Sequence, residues 1–491
     1  MADATAKVAV KATHIIQSEH QISLQNPFVL GPFDQLGHYA TPVNTVWIYG
    51  SSSVNLIPVD RLRRAISRLL DYYPHLTGRL TIDPETGVRS ITRLGTGMHL
   101  LEAHCDAPLQ TFARRSSGLD PEFSVFDFPG RGNALLSPWD LSLDGAQRDP
   151  VFTIQRTEFA CSAVAIGMRL SHVVGGAGSF LGLYQDLAEI YRGIGPAGDQ
   201  IELASPPHLP PFMATNMLYM NIEEQRKALT QQPPNYSLKT NDEASEDHWG
   251  KETQLEHSPD TDPVLGRSLR FTPQALVALK SQAVRPGDSG ARVSAFTALS
   301  AHIWQRTHLA RLKQAKSCTK QAPICSSSTF GTSVSFVPHL GLPRRLFGNT
   351  VVTPIITLDS TKLAQAPLWE VTEIINGLVR HVSKDEVDKL GTWIAAQPKK
   401  SRIQFSFQVT PTSFIATGWH RFPLWLGAEL EVPPIFASPV FMESLFDGMV
   451  CFVEPRAKDG GLDAIASMKS SAWAHLEKDE EFISNWDKRG L

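Results

Sequence analysis

The chain has no excess of charge of either sign and no long hydrophobic run. Among its 491 residues, Lys and Arg number 46 and Asp and Glu number 49, so the formal net charge is −3. A protein without a basic excess offers little to a phosphate backbone, so we expect no nucleic-acid partner. No stretch approaches 18 consecutive apolar residues, so we also expect no segment that spans a membrane.

Cysteine is scarce, and its spacing matches no disulfide framework or zinc site. The five cysteines are odd in number and widely separated, at Cys105, Cys161, Cys318, Cys325 and Cys451. None forms a CxxC pair, and Cys318 and Cys325 lack nearby histidines, so we expect no metal. Residues 1–20 lack the apolar core of a signal peptide. The sequence therefore predicts free thiols in a reducing compartment and a cytoplasmic protein.

Several common catalytic signatures are also missing. The sequence has no GxSxG elbow, no HExxH helix and no Walker lysine, which leaves serine-hydrolase, zinc-protease and nucleotide-phosphate chemistry unsupported. The run "GGAGSFLG" has glycines at 176, 178 and 182, spaced GxGxxxG rather than as a dinucleotide turn. What remains at this point of the chain is a single histidine, His172.

A chain of this length predicts two domains, and strand and helix patterns alternate in both halves. In the first half we predict a strand at 44–50, a helix at 59–73 ended by Pro74, a hairpin at 150–174 and a helix from the glycines to Gly193. Residues 205–264 are proline-rich, polar and without periodicity, which is typical of a crossover between domains.

The second half has a similar content of strands and helices. Helical spacing occurs at 272–284 and 292–314, and strand-like runs follow around 349–358. Residues 447–465 predict a hairpin, and residues 464–484 predict a closing amphipathic helix.

Seven segments, taken in order, carry a resemblance to a known family. They are "LGPFDQLGHY" (30–39), "YYPHLTGRL" (72–80), "SHVVGG" (171–176), "VSAFTALSAHIWQR" (293–306), "LPRRLFGN" (342–349), "TGWHRFPLW" (417–425) and "DGMVCFVEPRAKDGGLDA" (447–464). This succession resembles the BAHD acyltransferases and their fungal relatives of the trichothecene and ergot-alkaloid acetyltransferase type. The resemblance covers nearly the whole chain outside residues 216–264.

The resemblance implies an α/β fold of two similar chloramphenicol-acetyltransferase-like domains with mixed sheets and a channel between them. The corresponding boundaries are an N-terminal domain at 1–215, a crossover at 216–264 and a C-terminal domain at 265–491. We expect a monomer whose binding partners are a small-molecule alcohol acceptor and acyl-CoA.

The implied reaction is O-acylation of a hydroxylated apolar small molecule, in secondary metabolism of the fungal type. The donor would be acetyl-CoA or another acyl-CoA. The family's HxxxD histidine corresponds to His172. A histidine titrates near neutral pH, so it can take the hydroxyl proton while the oxygen attacks the thioester directly.

The family's oxyanion donors correspond to Thr417 and Trp419, with Gly418 in place of the central serine. The hydroxyl and the indole N–H would stabilise the tetrahedral intermediate. The alternative reading is that Trp419 simply packs between strands.

The sequence departs from the family in both of its signatures. Gly176 stands where the HxxxD aspartate belongs, and an ungapped count places its arginine partner near Ser335, so both partners of a buried ion pair are missing. Losing both partners together can be nearly neutral for stability. In place of DFGWG the chain reads "AELEV", Ala428 to Val432, where Glu429 and Glu431 would either repel a polyanionic cofactor or form a harmless outward loop.

These departures keep two other functions open. One is a cyclase or isomerase that uses the same fold on a polyketide or terpenoid intermediate. The other is a non-catalytic binder of small molecules.

Overall fold

The computed structural model describes most of the chain as two six-stranded sheets with helices packed on them. The described residues are 6–21, 23–50, 55–114, 122–195, 202–239, 262–288, 290, 292–317, 326–441 and 445–484.

The strands of these residues are, in chain order, β1 (Val8–Ile16), β2 (Phe28–Val29), β3 (Val43–Tyr49), β4 (Arg79–Ile82), β5 (Arg89–Thr92), β6 (Met98–Cys105), β7 (Ala113–Arg114), β8 (Glu122–Phe123), β9 (Phe152–Phe159), β10 (Val164–Leu170), β11 (Tyr236–Leu238), β12 (Val264–Phe271), β13 (Ser327–Thr332), β14 (Val334–Ser335), β15 (Val351–Val352), β16 (Ile355–Asp359), β17 (Ile403–Phe405), β18 (Ser413–Gly418), β19 (Phe436–Pro439), β20 (Met449–Val453) and β21 (Leu462–Lys469).

The α-helices are α1 (Val59–Tyr72), α2 (Leu143–Arg148), α3 (Ala177–Gly193), α4 (Ala214–Tyr219), α5 (Ile222–Leu229), α6 (Pro273–Gln282), α7 (Ala295–Ser317), α8 (Val337–Leu340), α9 (Ser360–Gln365), α10 (Leu368–Arg380), α11 (Lys384–Ala396), α12 (Ser470–Leu476) and α13 (Glu480–Ile483). None of these described helices is both long and apolar enough to cross a bilayer.

Both large sheets are mixed. The first has the order β1-β6-β9-β10-β3-β19 and the second β12-β21-β20-β18-β13-β16. Strand β6 runs parallel to β9, and β18 runs parallel to both β13 and β20, while the other neighbours are antiparallel. The predicted α/β class with two mixed sheets is confirmed.

The predicted hairpin at 150–174 is confirmed as β9 and β10. They pair in antiparallel register from Val164 opposite Glu158 to Leu170 opposite Phe152, and every residue of β10 is buried. One face of β10 packs under α1 and α3, and the other meets the segment around Leu135. Gly167 permits that approach, because a Cβ there would lie 2.0 Å from the Leu135 carbonyl oxygen. A strand enclosed on both faces holds the loop that follows it firmly.

The helices predicted around this hairpin are also present. Helix α1 buries Leu62, Ile66 and Leu69 on one face and stops before Pro74, whose ring cannot continue a helix. Helix α3 begins at Ala177, within the glycine run, and ends at Gly193, as its apolar spacing predicts.

In the second half, the two helices predicted at 272–284 and 292–314 are confirmed as α6 and α7, and the hairpin at 447–465 as β20 and β21. The helix predicted over 464–484 is wrong in its first part. Residues up to Lys469 belong to β21, which lies between β12 and β20, and helix begins only at Ser470. A short apolar run that is buried on both faces fits the periodicity of a helix or of a strand. Here the pairing with neighbouring strands makes it a strand.

The segment at 205–264 contains regular structure that its composition conceals. Asn221 begins α5 with a capping box, in which its side chain accepts from the Glu224 amide and the Glu224 carboxylate accepts from the Asn221 amide. Strand β11 pairs with β17 from the second half of the chain. Conversely, β19 from the second half completes the first sheet beside β3.

Three of the cysteines are free in the structure, namely Cys105, Cys161 and Cys451. Cys318 and Cys325 lie outside the described residues.

A buried ion pair joins α3 to the segment that leads into β15. The Asp186 carboxylate, 3% exposed, accepts from the Arg345 guanidinium and, at 2.5 Å, from the Tyr73 hydroxyl. Burial raises the pKa of Asp186, and these two donors counteract the rise. The contact therefore ties the two halves of the chain together next to "LFGN".

We expect Asp186→Asn to lower the free energy of unfolding by about 3 kcal/mol, because it leaves Arg345 without its buried counter-ion. Guanidinium denaturation at pH 7.5 measures the change. The control is Lys384→Ala, which breaks an exposed pair with Asp388 on α11 and should cost less than about 0.5 kcal/mol. Equal effects of the two substitutions would show that the Asp186 pair stabilises nothing.

Candidate active site

His172 lies in the loop between β10 and α3, two residues after the strand ends. Ser171 and Val173 on either side are buried, whereas the His172 side chain keeps partial exposure. Gly176 is the N-cap of α3 and has extended backbone, with φ of −88° and ψ of −175°. The loop is therefore held by the buried strand β10 before it and by helix α3 after it. The His172 imidazole lies in the middle of this loop.

The turn that carries Asn349 lies against this loop. Gly348 has a φ of +140°, a region that favours glycine, and a Cβ there would lie 3.4 Å from Oδ1 of Asp34. The Ser179 hydroxyl donates to the Gly348 carbonyl at 2.9 Å and accepts from its amide at 3.0 Å. Asn349 follows this glycine and lies opposite His172.

The Asn349 side chain bonds to two other segments, the His172 loop and the turn that contains Asp34. Its Oδ1 lies 3.2 Å from Nδ1 of His172. Its Nδ2 donates to the carbonyl of His172 at 2.8 Å, to that of Val173 at 3.4 Å and to Oδ1 of Asp34 at 3.0 Å. The backbone amide of Asn349 also donates to Oδ1 of Asp34, at 2.7 Å.

These partners decide which way the Asn349 amide points. With Asp34 ionised, as it is above its pKa of about 7, every atom around Nδ2 is an oxygen that only accepts, so the reversed amide would place Oδ1 against three acceptors. With Oδ1 facing Nδ1 of His172, Nδ1 must carry the proton that this bond needs. The proton of the neutral ring is then on Nδ1, and Nε2 keeps its lone pair.

The charge state of His172 is consistent with a base. Burial lowers the pKa of His172, while hydrogen bonds to its own carbonyl and to Asn349 partly offset that effect. The ring is therefore neutral at pH 7. Among the described residues nothing hydrogen-bonds Nε2, so its lone pair is available to a substrate hydroxyl.

Asp34 is the charged member of the site that sequence reasoning missed. It begins a single 3₁₀ turn, Asp34–Leu36, and is 4% exposed. Its Oδ2 accepts from the Gly31 amide at 3.1 Å, and burial raises its pKa to about 7 against the opposing effect of these N–H donors. The available signal was the aspartate at the centre of "LGPFDQLG", which belongs to one of the seven segments that carry the family resemblance.

Asn349 was missed in the same way, as the last residue of "LPRRLFGN". Its importance comes from a contact that spans 177 residues of sequence, which no local pattern expresses.

Thr417 and Trp419 lie where β18 ends. Thr417 is opposite Cys451 of the parallel strand β20, and Trp419 is 8% exposed. The Trp419 ring packs on Phe441 at 5.9 Å and on Phe180, in the first turn of α3, at 6.5 Å between centroids. The same helix N-terminus thus follows the His172 loop and contacts Trp419, which supports both the packing reading and a place near the site.

Gly176, which stands in the aspartate position, lies close to the Asn349 side chain. A Cβ at Gly176 would lie 3.4 Å from Oδ1 of Asn349, and Ser335 pairs with Val351 in a two-stranded ladder. The interaction that joins the two halves is made elsewhere, by Asp186 and Arg345.

The carboxylates of "AELEV" are paired with the first half of the chain. Glu431 accepts from the Tyr191 hydroxyl at 2.7 Å, the Ile57 amide at 3.1 Å and the Arg61 guanidinium at 3.3 Å. Glu429 lies 3.9 Å from Arg192. The sequence left two alternatives, repulsion of a polyanionic cofactor or a harmless outward loop, and neither describes these contacts. The two glutamates instead bond this segment to side chains of α1 and α3.

Comparisons with known proteins identify the family of the chain. A family model described as the Transferase family matches residues 6–483. Omega-hydroxypalmitate O-feruloyl transferase of Arabidopsis thaliana is 26% identical over 419 residues, which are 84% of this chain and 80% of that protein. Rosmarinate synthase of Plectranthus scutellarioides is 26% identical over 445 residues, 87% and 88% of the two chains.

Solved structures share the fold at low identity. Vinorine synthase superposes with a TM-score of 0.67 at 16% identity, over 98% of this chain and 99% of that one. TRI101 of F. sporotrichioides, in complex with coenzyme A and T-2, gives a TM-score of 0.66 at 17% identity, over 94% and 99%. Because the family model matches nearly the whole chain, the protein belongs to the transferase family of BAHD acyltransferases.

Proposed function

We propose that this BAHD acyltransferase transfers an acyl group from acyl-CoA to the hydroxyl of an apolar small molecule, with His172 as general base. The observation that carries the proposal is the bond between Oδ1 of Asn349 and Nδ1 of His172, because it leaves the lone pair on Nε2. A base with that lone pair in a partly exposed position is what an alcohol acceptor requires.

The proposed transfer is direct. Nε2 of His172 takes the hydroxyl proton while the hydroxyl oxygen forms a bond to the thioester carbonyl carbon. The tetrahedral intermediate then collapses, the carbon–sulfur bond breaks, and the departing thiolate takes the proton back from Nε2. Ester and free CoA are the products, and His172 returns to its starting state.

Negative charge develops on the former carbonyl oxygen during this transfer, and donors near that oxygen stabilise it. We assign this role to the Thr417 hydroxyl and the Trp419 indole N–H. Their position at the end of β18, with Trp419 packed on the first turn of α3, supports the assignment.

The finer assignments are part of the proposal. Acetyl-CoA as donor, transfer to oxygen and a fungal type of secondary metabolism come from the sequence resemblance. The relatives named above are an O-feruloyl transferase and a rosmarinate synthase. The TRI101 structure named above was solved with coenzyme A. The monomeric state and the cytoplasmic location stay predictions.

We expect His172→Ala to lower kcat/KM for acyl transfer by about 10²- to 10⁴-fold, the usual contribution of a positioned general base. Release of free CoA thiol from acetyl-CoA with a panel of apolar alcohols measures it. The matched control is His20→Ala, which removes an exposed histidine paired with Asp71 and should leave the rate unchanged.

Equal thiol release by wild type and His172→Ala would contradict the proposed role of His172. Conversion of a polyketide or terpenoid substrate without thiol release would favour the cyclase or isomerase, and ligand binding without turnover would favour the binder.

We expect Trp419→Phe to lower kcat about 10- to 100-fold while keeping the ring packing, because the substitution removes only an oxyanion donor. The control is Trp425→Phe, which removes an indole N–H that donates to the Glu454 carbonyl at 2.9 Å. Steady-state kinetics with saturating acyl-CoA compare the two. If both variants keep full kcat, Trp419 is a packing residue.

A further inference from the structure

The Asp34 carboxylate is buried one side chain away from His172 and receives three N–H donors. Oδ1 accepts from the backbone and side-chain amides of Asn349, and Oδ2 accepts from the Gly31 amide. We propose that Asp34 is a positioning residue for acyl transfer, because its carboxylate orients the Asn349 amide, which keeps the proton of His172 on Nδ1. This inference rests on the proposed function, in which Nε2 is the base.

The first step of the argument is the chemistry of the group at position 34. An ionised carboxylate only accepts hydrogen bonds, so both of its oxygens fit the three N–H groups around them. A side-chain amide at this position would turn its NH₂ group toward at least one of those donors. Two donors facing each other in a buried site lose a hydrogen bond and gain repulsion.

The second step concerns the Asn349 amide. Its Nδ2 is surrounded by Asp34, the His172 carbonyl and the Val173 carbonyl, of which the Val173 contact is the longest at 3.4 Å. The carboxylate is the only charged member of this trio, and hydrogen bonds to charged groups are the stronger ones. Replacing it therefore weakens the preference for the observed orientation more than the loss of a carbonyl would.

The third step is the consequence for His172. In the reversed orientation, Nδ2 of Asn349 would donate to Nδ1 of His172, and the ring proton would move to Nε2. Nε2 would then have no lone pair with which to accept the substrate proton. The orientation of one amide thus decides whether the proposed base is active.

The site admits little rearrangement, because a Cβ at Gly37 would lie 2.7 Å from the His172 carbonyl oxygen. Asp34 is 4% exposed, so bulk water does not replace its bonds.

The test begins with the wild-type protein at pH 8, above the pKa of about 7 to which burial raises Asp34. Histidine is labelled with ¹⁵N, and the His172 ring signals are identified as those missing from His172→Gln. We expect signals of a neutral ring protonated on Nδ1. A wild-type ring protonated on Nε2 would overturn the inference whatever the variants do.

The variant is Asp34→Asn, and its matched control is Ser179→Ala. The control removes the hydroxyl bonds to Gly348 and so loosens the same turn without touching the Asn349 amide. We expect Asp34→Asn to shift His172 toward the Nε2-protonated ring and to lower kcat about 10- to 100-fold, with KM for acyl-CoA changed less than about twofold. Ser179→Ala should keep the Nδ1-protonated ring and lose less than about threefold in kcat.

Two failures are distinguishable. If His172→Ala keeps wild-type acyl transfer, the proposed function fails. If His172→Ala is inactive while a folded Asp34→Asn keeps both the Nδ1-protonated ring and full kcat, only the inference about Asp34 fails. An equal loss in Ser179→Ala and Asp34→Asn, with no change in the ring proton, would reduce Asp34 to a packing role and overturn the inference as well.

Discussion

The active site depends on the orientation of one buried amide. The side-chain nitrogen of Asn349 faces three oxygens, and its side-chain oxygen faces a ring nitrogen of His172. Only one orientation of the amide therefore satisfies these hydrogen bonds. That arrangement places the His172 proton on Nδ1 and the basic lone pair on Nε2. The proposed chemistry follows from this local constraint, whereas the rest of the fold serves to bring Asp34, His172 and Asn349 from distant parts of the chain into contact.

The fold maintains this contact by enclosing each of the three segments. Strand β10 is buried on both faces, so the loop with His172 starts from a fixed position. The Asn349 turn is bonded to α3 through Ser179 and, a few residues earlier, through Arg345 and Asp186. Asp186 on α3 and Arg345 thus join the two halves of the chain, although no ion pair can form between Gly176 and Ser335.

The second altered signature is also compensated rather than lost. Glu431 accepts from Tyr191, Arg61 and the Ile57 amide, and Glu429 lies near Arg192. A loop that the family shapes with glycines and an aromatic is held here by charge and hydrogen bonds. Tyr191, Arg61 and Arg192 lie on α3 and α1, helices that also pack in the core.

Much of the fold was predictable because strong local patterns agree with the final packing. The helices at α1, α3 and α7 and the hairpin of β9 and β10 follow directly from apolar spacing and from glycine and proline positions. The second part of β21, up to Lys469, was assigned to a helix because a short run buried on both faces has no period of its own.

The site was predictable only in part. His172 was predicted because a chemically distinctive residue stands in a recognisable segment. Asp34 and Asn349 were not, since their roles exist only through contacts spanning 315 and 177 residues of sequence. The pairing of Glu431 with Arg61 was hidden for the same reason, across 370 residues.

The most direct test of the central claim is neutron diffraction from a deuterium-exchanged crystal at pH 8. It locates the exchangeable hydrogens of the His172 ring and of the Asn349 amide. The account predicts a deuteron on Nδ1 of His172, none on Nε2, and the deuterons of Asn349 directed at Asp34 and the His172 carbonyl. A deuteron on Nε2, with the Asn349 nitrogen facing Nδ1, would contradict it.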